Sequence, residues 1–241
     1  MQRAYADAYR ELHARHWWWR AREALVVDWL RVHTPPGGFG PILDIGCGDA
    51  LFFPVLRGFG EPEGVEPDAG LLSAAGRTLG PIHVGPFDDS FRPNHRYGLV
   101  LALDVIEHVE DDAAFLRRAS ELLRPGGALL ITVPAFPALW THHDVLNAHR
   151  RRYRRPGLVD LVRAAGLDVT SSHYFFHWLA PAKLVQAGRE RLFGVSREPP
   201  RTPSSALNRL LLVASRLEQR LLTPLSPPFG GSLLLAARRA G

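Results

Sequence analysis

The stretch "ILDIGCGDA", residues 42–50, decides the fold. The apolar run PILDI (41–45) reads as a short buried strand, and Gly46 and Gly48 follow it as a tight loop. Two glycines directly after a strand let a ligand lie against the backbone. The acids on either side limit what that ligand can be. A carboxylate about 4 Å from a phosphate charge would cost roughly 4 kcal/mol at an effective dielectric near 20. Asp44 therefore argues against a pyrophosphate and for a ligand that is positive at this point. Asp49 stands where it would cap a helix starting near Ala50.

Outward from this loop, strand and helix alternate. Further strands are expected at 62–67, 81–85, 97–104, 128–134, 167–176 and 231–239. Helices are expected over 3–33, from about residue 50, over 68–78 with Asp68 as cap, over 111–123 and over 156–165. RPGG (124–127) reads as a turn. The strand at 97–104 is apolar on both faces, the pattern of a central parallel strand covered by helices. The alternation from 41 to 176 predicts an α/β protein with a parallel, doubly wound sheet. Residues 177–230 interrupt it with two helices separated by SREPPRTPSS (196–205). The second carries Leu207, Leu210, Leu211, Ala214, Leu217 and Leu221 on one face, with Arg209, Arg216 and Arg220 on the other side.

The bulk composition excludes several classes. A chain of 241 residues with 46% hydrophobic content can bury a sizeable core. Cys47 is the only cysteine, so no intrachain disulfide forms, and a cytoplasmic location is expected. The N-terminus is charged throughout and does not read as a signal peptide. No apolar run approaches the ~18 residues of a spanning helix. No H-E-x-x-H occurs and the sole cysteine sits in the glycine loop, so no metal site is expected. The net charge is +5, and Lys183 is the only lysine.

The ligand can be narrowed further. A dinucleotide fingerprint needs a third glycine, and Leu51 stands there instead. Glu66 ends the second strand about twenty residues after the loop, where an acid accepts from ribose hydroxyls. S-adenosylmethionine fits all three observations: it has an ammonium, a sulfonium and a ribose, and no phosphate. A nicotinamide-dependent oxidoreductase, which shares the ribose acid, is a rival. A non-catalytic cofactor-binding module is another.

ILDIGCGDA, GVEPDAGLL (64–72), LVLALDVIEHVEDD (99–112) and LLRPGGALLITVP (122–134) together resemble the successive motifs of class I S-adenosylmethionine-dependent methyltransferases of small-molecule type. The resemblance implies a Rossmann-like, seven-stranded, mostly parallel sheet with the last strand antiparallel, in a domain over 41–241. It places Asp44, Gly46 and Gly48, with Ile45 and Cys47, around the methionine part of the cofactor. Glu66 and Pro67 fall at the ribose, and Phe87 and Asp88 beside adenine, although GPFDD (85–89) has Pro86 where an aspartate is common. Leu103, Asp104, Val105 and His108 fall near the methyl group. Glu107–His108 reads equally as a hydrogen-bonding pair at a helix start.

HWWWRAR (16–22) cannot turn three consecutive tryptophans to one core, since neighbours on a helix point about 100° apart. Similar openings precede the glycine loop in some small-molecule methyltransferases as a lid. Residues 1–40 are accordingly expected to form a helical lid, with Arg22, or else Arg20, binding the cofactor carboxylate. After the fifth strand, residues 137–157 should border the acceptor, because ligands sit outside the C-terminal strand ends. His142, His143, His149 and Asp144 are the candidates there for a base that deprotonates an acceptor hydroxyl.

The arginines of 150–155 have three readings: bonds within the fold, recognition of an anionic acceptor, or nucleic-acid binding. The last ranks lowest, since the run is short and no RNA-binding module accompanies it. The expected function is methyl transfer to a small-molecule acceptor, most simply at oxygen, by a monomer or dimer. RNA or protein is the rival acceptor. The insertion 177–230 is either a lid over the acceptor or, through 203–222, a peripheral membrane contact serving a lipid-linked acceptor.

Overall fold

The computed structural model describes residues 10–193 and 202–241. Seven strands form one sheet: β1 (Pro41–Ile45), β2 (Glu61–Glu66), β3 (Ile82–Val84), β4 (Tyr97–Leu103), β5 (Leu123–Pro134), β6 (Leu167–Phe175) and β7 (Ser232–Arg239). Their order is β3-β2-β1-β4-β5-β7-β6. β7 runs antiparallel to both β5 and β6, and the remaining pairs are parallel. The expected Rossmann-like sheet with an antiparallel last strand is therefore present. The strand order reverses between β1 and β4, and the glycine loop lies at that reversal, where open α/β sheets bind ligands.

β4 shows why both faces of the sheet are apolar. Val100 and Ala102 enter one core with Phe115 and Leu116 of α3 (Asp112–Leu122) and Leu158 and Val162 of α5 (Arg155–Ala164). Leu99 and Leu101 enter the other core with Val26 and Leu30 of α1 (Trp17–His33) and Phe53 of the four-residue α2 (Phe53–Leu56). Side chains alternate along a strand, so a strand covered on both sides must be apolar at every position. Between these come α4 (His142–Leu146), and after β6 the insertion helices α6 (Leu179–Phe193) and α7 (Ser205–Leu222).

Five expectations change. The helix after the glycine loop shrinks to Phe53–Leu56. Ala50 turns with φ 55°, and a turn at Gly58 soon follows. Asp49 is not its cap: its Oδ1 accepts from the Ser73 backbone N–H (2.6 Å), and its Oδ2 accepts from Ser73 Oγ (2.9 Å) and Arg10 Nε (2.5 Å). The helix expected over 68–78 is two single 3₁₀ turns, Ala69–Leu71 and Gly76–Thr78. Asp49 reaches so close to Gly76 that a Cβ there would lie 2.0 Å from its Oδ1. RPGG is not a turn before β5 but an irregularity within it: Tyr97 pairs with Leu123 and Leu99 with Ala128. The N-terminal helix breaks at His16, whose ring accepts from the Trp18 N–H, and its expected residues 3–9 lie outside the described residues. So do 196–201 of the expected linker. No helix among the described residues is long and apolar enough to cross a membrane.

Candidate functional site

The pocket at the end of β1 is lined by Asp44, Gly46 and Cys47 from the strand and loop, Arg22 and Glu23 from α1, His13, Leu51, Phe52 and Leu103. Gly46 has φ 71°, and a Cβ on it would meet Val105 Cγ2 at 2.8 Å. Only glycine fits there. Asp44 is buried and makes no hydrogen bond to a described residue. Burial pushes its pKa up to about 7, against the pull of Arg22 and with some help from Glu66. The buried Glu66 accepts from the Gly48 N–H (2.9 Å) with Oε2 and from the Asp68 N–H (2.8 Å) with Oε1. Its pKa is also raised by burial, which those two hydrogen bonds oppose. Each of its oxygens keeps a lone pair for another donor. Pro67 and Asp88 are exposed beside this end of the sheet. Phe87 is half-buried, packed on Phe115 at 4.9 Å between centroids. The Cys47 thiol is buried and its pKa is pushed up by that burial, so it is a small apolar wall and not a nucleophile.

α1 covers the pocket. Trp17 packs into the core against Phe176 (5.6 Å) and Trp178 (5.3 Å). Trp18 and Trp19 stay half-buried, and the Arg22 guanidinium lies over both rings, at 5.4 and 4.7 Å. Trp17 and Trp18 both meet Phe176, at 5.6 and 5.7 Å, and Trp19 does not join that core. Arg22 is buried, pairs with Asp104 and donates to the Leu103 carbonyl, while its Nε has no partner. Arg20 is exposed.

Asp104, just past β4, has φ 57°, a left-handed conformation that few non-glycine residues adopt. Glu107 follows, completely buried, with neither carboxylate oxygen hydrogen-bonded. Burial, then Asp104, pushes its pKa well above the carboxylate range. Possible ligand atoms of Glu107, His108 and His149 lie within 4.8 Å of one another, a set that could hold a metal ion and that the sequence spacing did not suggest. Two of these residues are adjacent, and the third comes from a loop forty residues on.

That loop is held by Asp144. Burial alone would raise its pKa, but hydrogen bonds from His149 and Arg152 hold it well below the usual range. Arg152 donates from Nε to Oδ1 (2.8 Å) and from a terminal nitrogen to Oδ2 (2.9 Å), and the Thr141 N–H donates at 2.8 Å. His149 donates from Nδ1 to Oδ1 at 2.8 Å, because a carboxylate can only accept. Its Nε2 is then the basic nitrogen. His143 lies against Asn147, and burial, then Lys183, pushes its pKa down to about 4. The His142 N–H donates to Glu190 of α6 at 2.7 Å. Three arginines of the run, Arg150, Arg151 and Arg152, are bonded within the fold, while Arg154 is exposed with its guanidinium over the Phe136 ring at 5.8 Å. Arg150 and Arg151 donate to carbonyls of residues 108–110, Arg151 pairs with Asp112, and Arg152 pairs with Asp144.

Sequence reasoning missed Lys183. The only lysine of the chain sits on α6 within the fields of Asp104, Asp144 and Arg152. Burial and then Arg152 push its pKa down to about 8. The available signal was a single lysine among many arginines, and arginine cannot lose its proton.

A family model described as Methyltransferase domain matches residues 6–172. The ubiquinone biosynthesis O-methyltransferase of Azorhizobium caulinodans is 32% identical over 130 residues, 51% of this chain and 47% of that one. The chain spans less than half the length of the first curated relatives it matches. Among solved structures, a chain of the complex between the Haloferax volcanii Trm112 methyltransferase activator and a methyltransferase superposes with TM-score 0.63 at 16% identity. That superposition covers 99% of this chain and 95% of that one. Haemonchus contortus phosphoethanolamine N-methyltransferase 2, in complex with S-adenosyl-L-methionine, gives 0.56 at 16% identity, covering 89% and 52%. At these identities the structures speak to the fold.

Proposed function

The chain belongs to the methyltransferase-domain family matched over residues 6–172, and on that premise we propose that it transfers a methyl group from S-adenosylmethionine to a hydroxyl of a small molecule. One observation carries the reading. The pocket holds a buried carboxylate, Asp44, without a hydrogen bond to a described residue, beside a buried guanidinium, Arg22, whose Nε has no partner among them. An amino-acid end, with one ammonium and one carboxylate, completes both. Glu66 would take the ribose hydroxyls, with Pro67 beside it, and Phe87 and Asp88 the adenine edge. Gly46 and Gly48, with Ile45 and Cys47, let the ligand lie on the backbone, and Leu103, Asp104, Val105 and His108 border the reacting end. S-adenosylmethionine supplies an electrophilic methyl group on a sulfonium.

What the chain must add is placement and a proton acceptor. A hydroxyl keeps its proton at neutral pH and is a poor nucleophile until a base takes it. His149 is the proposed base: Asp144 fixes its tautomer, leaves Nε2 as the basic nitrogen and stabilises the imidazolium that forms. The acceptor C–O bond forms as the C–S bond breaks, and the hydroxyl proton ends on His149. Residues 1–40 would act as the lid over a domain spanning 41–241. Oxygen as the methylated atom is supported by the built base and by the names of the relatives.

Calorimetry tests the binding half. Asp44→Asn should weaken S-adenosylmethionine by roughly 10- to 100-fold, the loss of one charge-assisted hydrogen bond of about 1.5–3 kcal/mol. The pH dependence has a definite sign. A cation binds the ionised carboxylate, so affinity should rise with pH through about 7, the raised value for Asp44. The rise should stop as the ligand's α-ammonium deprotonates near ~8, and it should vanish in Asp44→Asn. A folded sample that binds neither S-adenosylmethionine nor its demethylated product would sink the proposal.

A further inference from the structure

Helix α7 turns Asn208, Ser215 and Gln219 inward together with Leu211 and Leu212, which pack against the core, and it carries a second row of apolar side chains that is not buried. Asn208, Ser215 and Gln219 share one side of the helix, and Leu207, Leu210, Leu217 and Leu221 share the opposite side. Asn208 Oδ1 accepts from the Trp17 N–H (2.9 Å), and its Nδ2 donates to the Arg15 carbonyl (2.7 Å). Ser215 Oγ accepts from Trp178 Nε1 (3.3 Å), and Gln219 Nε2 donates to the Ala21 carbonyl (3.2 Å). The carboxylate of Glu218 accepts from the His177 and Trp178 N–H groups. These bonds fix the rotation of the helix. Its leucine side is left outward, with Leu207, Leu210, Val213, Leu217 and Leu221 between 47% and 63% exposed. Leu225, just beyond the helix, extends the strip at 74% exposure. A soluble helix buries its apolar stripe, so a strip this long needs something to cover it.

Charge decides between the occupants. Residues 202–229 contain three arginines and one carboxylate. The carboxylate, Glu218, is turned inward on His177, and Arg216 is paired with Asp28. Arg209 and Arg220 remain exposed at one edge of the leucine strip. A second copy packed antiparallel on the strip would bring the two arginine edges side by side with no outward carboxylate between them. An anionic bilayer accepts both features, with leucines at the acyl boundary and guanidiniums on headgroup phosphates. Among the described residues no helix is both long and apolar enough to cross a membrane, and contact through α7 would be in the plane of the surface. We propose that α7 is a membrane-surface helix that docks the protein on anionic lipid bilayers. Its inward side is bonded to α1, which also carries Arg22, so the docked helix and the pocket share one support.

Vesicle flotation of the full chain tests this. The protein should float with phosphatidylcholine vesicles containing about a third phosphatidylglycerol, and at least about tenfold less with phosphatidylcholine alone. Leu210→Glu/Leu217→Glu should reduce flotation by about tenfold or more while leaving S-adenosylmethionine affinity and the melting temperature unchanged, since both positions are exposed. Arg209→Glu/Arg220→Glu should remove the preference for anionic vesicles. Docking is overturned if the folded wild type floats with neither vesicle, or if the double-leucine variant floats as well as wild type. It is equally overturned if light scattering shows a dimer that the double-leucine variant dissociates, which would make the face a contact between copies. Cofactor binding measured on the same samples keeps a failure of docking distinct from a failure of the methyltransferase reading.

Discussion

His149→Ala is expected to lower kcat by about 10²- to 10⁴-fold, the usual contribution of a positioned base, with S-adenosylmethionine affinity nearly unchanged. The separation follows from geometry. The pocket that would hold the amino-acid end is lined by Asp44, Arg22 and Gly46, and His149 is not among its walls. His149 belongs instead to the Asp144 hub, on the loop after β5. Its ring stands 4.8 Å from that of His108, on the side where the resemblance places the methyl group. Lys183 provides the control. It lies within the fields of Arg152, Asp144 and Asp104, and its pKa of about 8 would let it accept a proton near the top of the working range. If Lys183 were the base, Lys183→Arg, permanently charged, would abolish turnover and the alkaline rise of the pH–rate profile. With His149 as base, Lys183→Arg keeps the shape of that profile and His149→Ala loses it. An unaltered kcat in His149→Ala would remove it from the mechanism. A metal ion on Glu107, His108 and His149 would show itself as a loss of turnover on chelation.

The parts legible in the sequence were local ones. PILDI, Gly46, Gly48 and Glu66 sit within one strand–loop–strand unit, where periodicity and turn chemistry act on neighbours. The sheet followed because alternation of strand and helix leaves few topologies. The illegible parts depend on what is packed above a segment. Asp49 looked like a cap because a following helix was assumed, and its real partners, Ser73 and Arg10, are 24 and 39 residues away. The stripe on α7 was visible, but periodicity cannot say which side of a helix meets the protein. That was settled by Asn208, Ser215 and Gln219 finding partners on α1 and at Trp178. Glu107 read as half of a helix-start pair, and only the return of His149 from the distant loop makes it part of a cluster. The arginine run was ambiguous for the same reason: the carbonyls and Asp112 that engage Arg150 and Arg151 lie about forty residues earlier.

Asp144→Asn should destabilise the protein by about 3–5 kcal/mol, because it leaves Arg152 buried beside a neutral amide. For a chain of this size that is a fall in Tm of roughly 6–20 °C. The pair is unusually exposed to such a loss: both side chains are almost fully buried, and the guanidinium grips the carboxylate with two nitrogens. The pH dependence carries the sign. Asp144 is held well below its unfolded value near ~3.9, so its stabilising contribution is complete above that pH. It is lost as pH falls below the unfolded value toward the depressed folded one. Wild type should therefore melt progressively earlier below about pH 4, and Asp144→Asn should lack that part of the acid slope. A second variant keeps the electrostatic reading testable. Asp144→Leu/Arg152→Met removes both charges together, and replacing a buried ion pair by apolar side chains is far milder than removing one partner. The double variant should recover a measurable part of the Tm lost in Asp144→Leu alone. If it melts as low as the sum of the two single changes, the hub is held by shape and capping at Thr141, and not by the ion pair. The same double variant should remain nearly inactive even where it is folded, because His149 would have lost the carboxylate that fixes its tautomer.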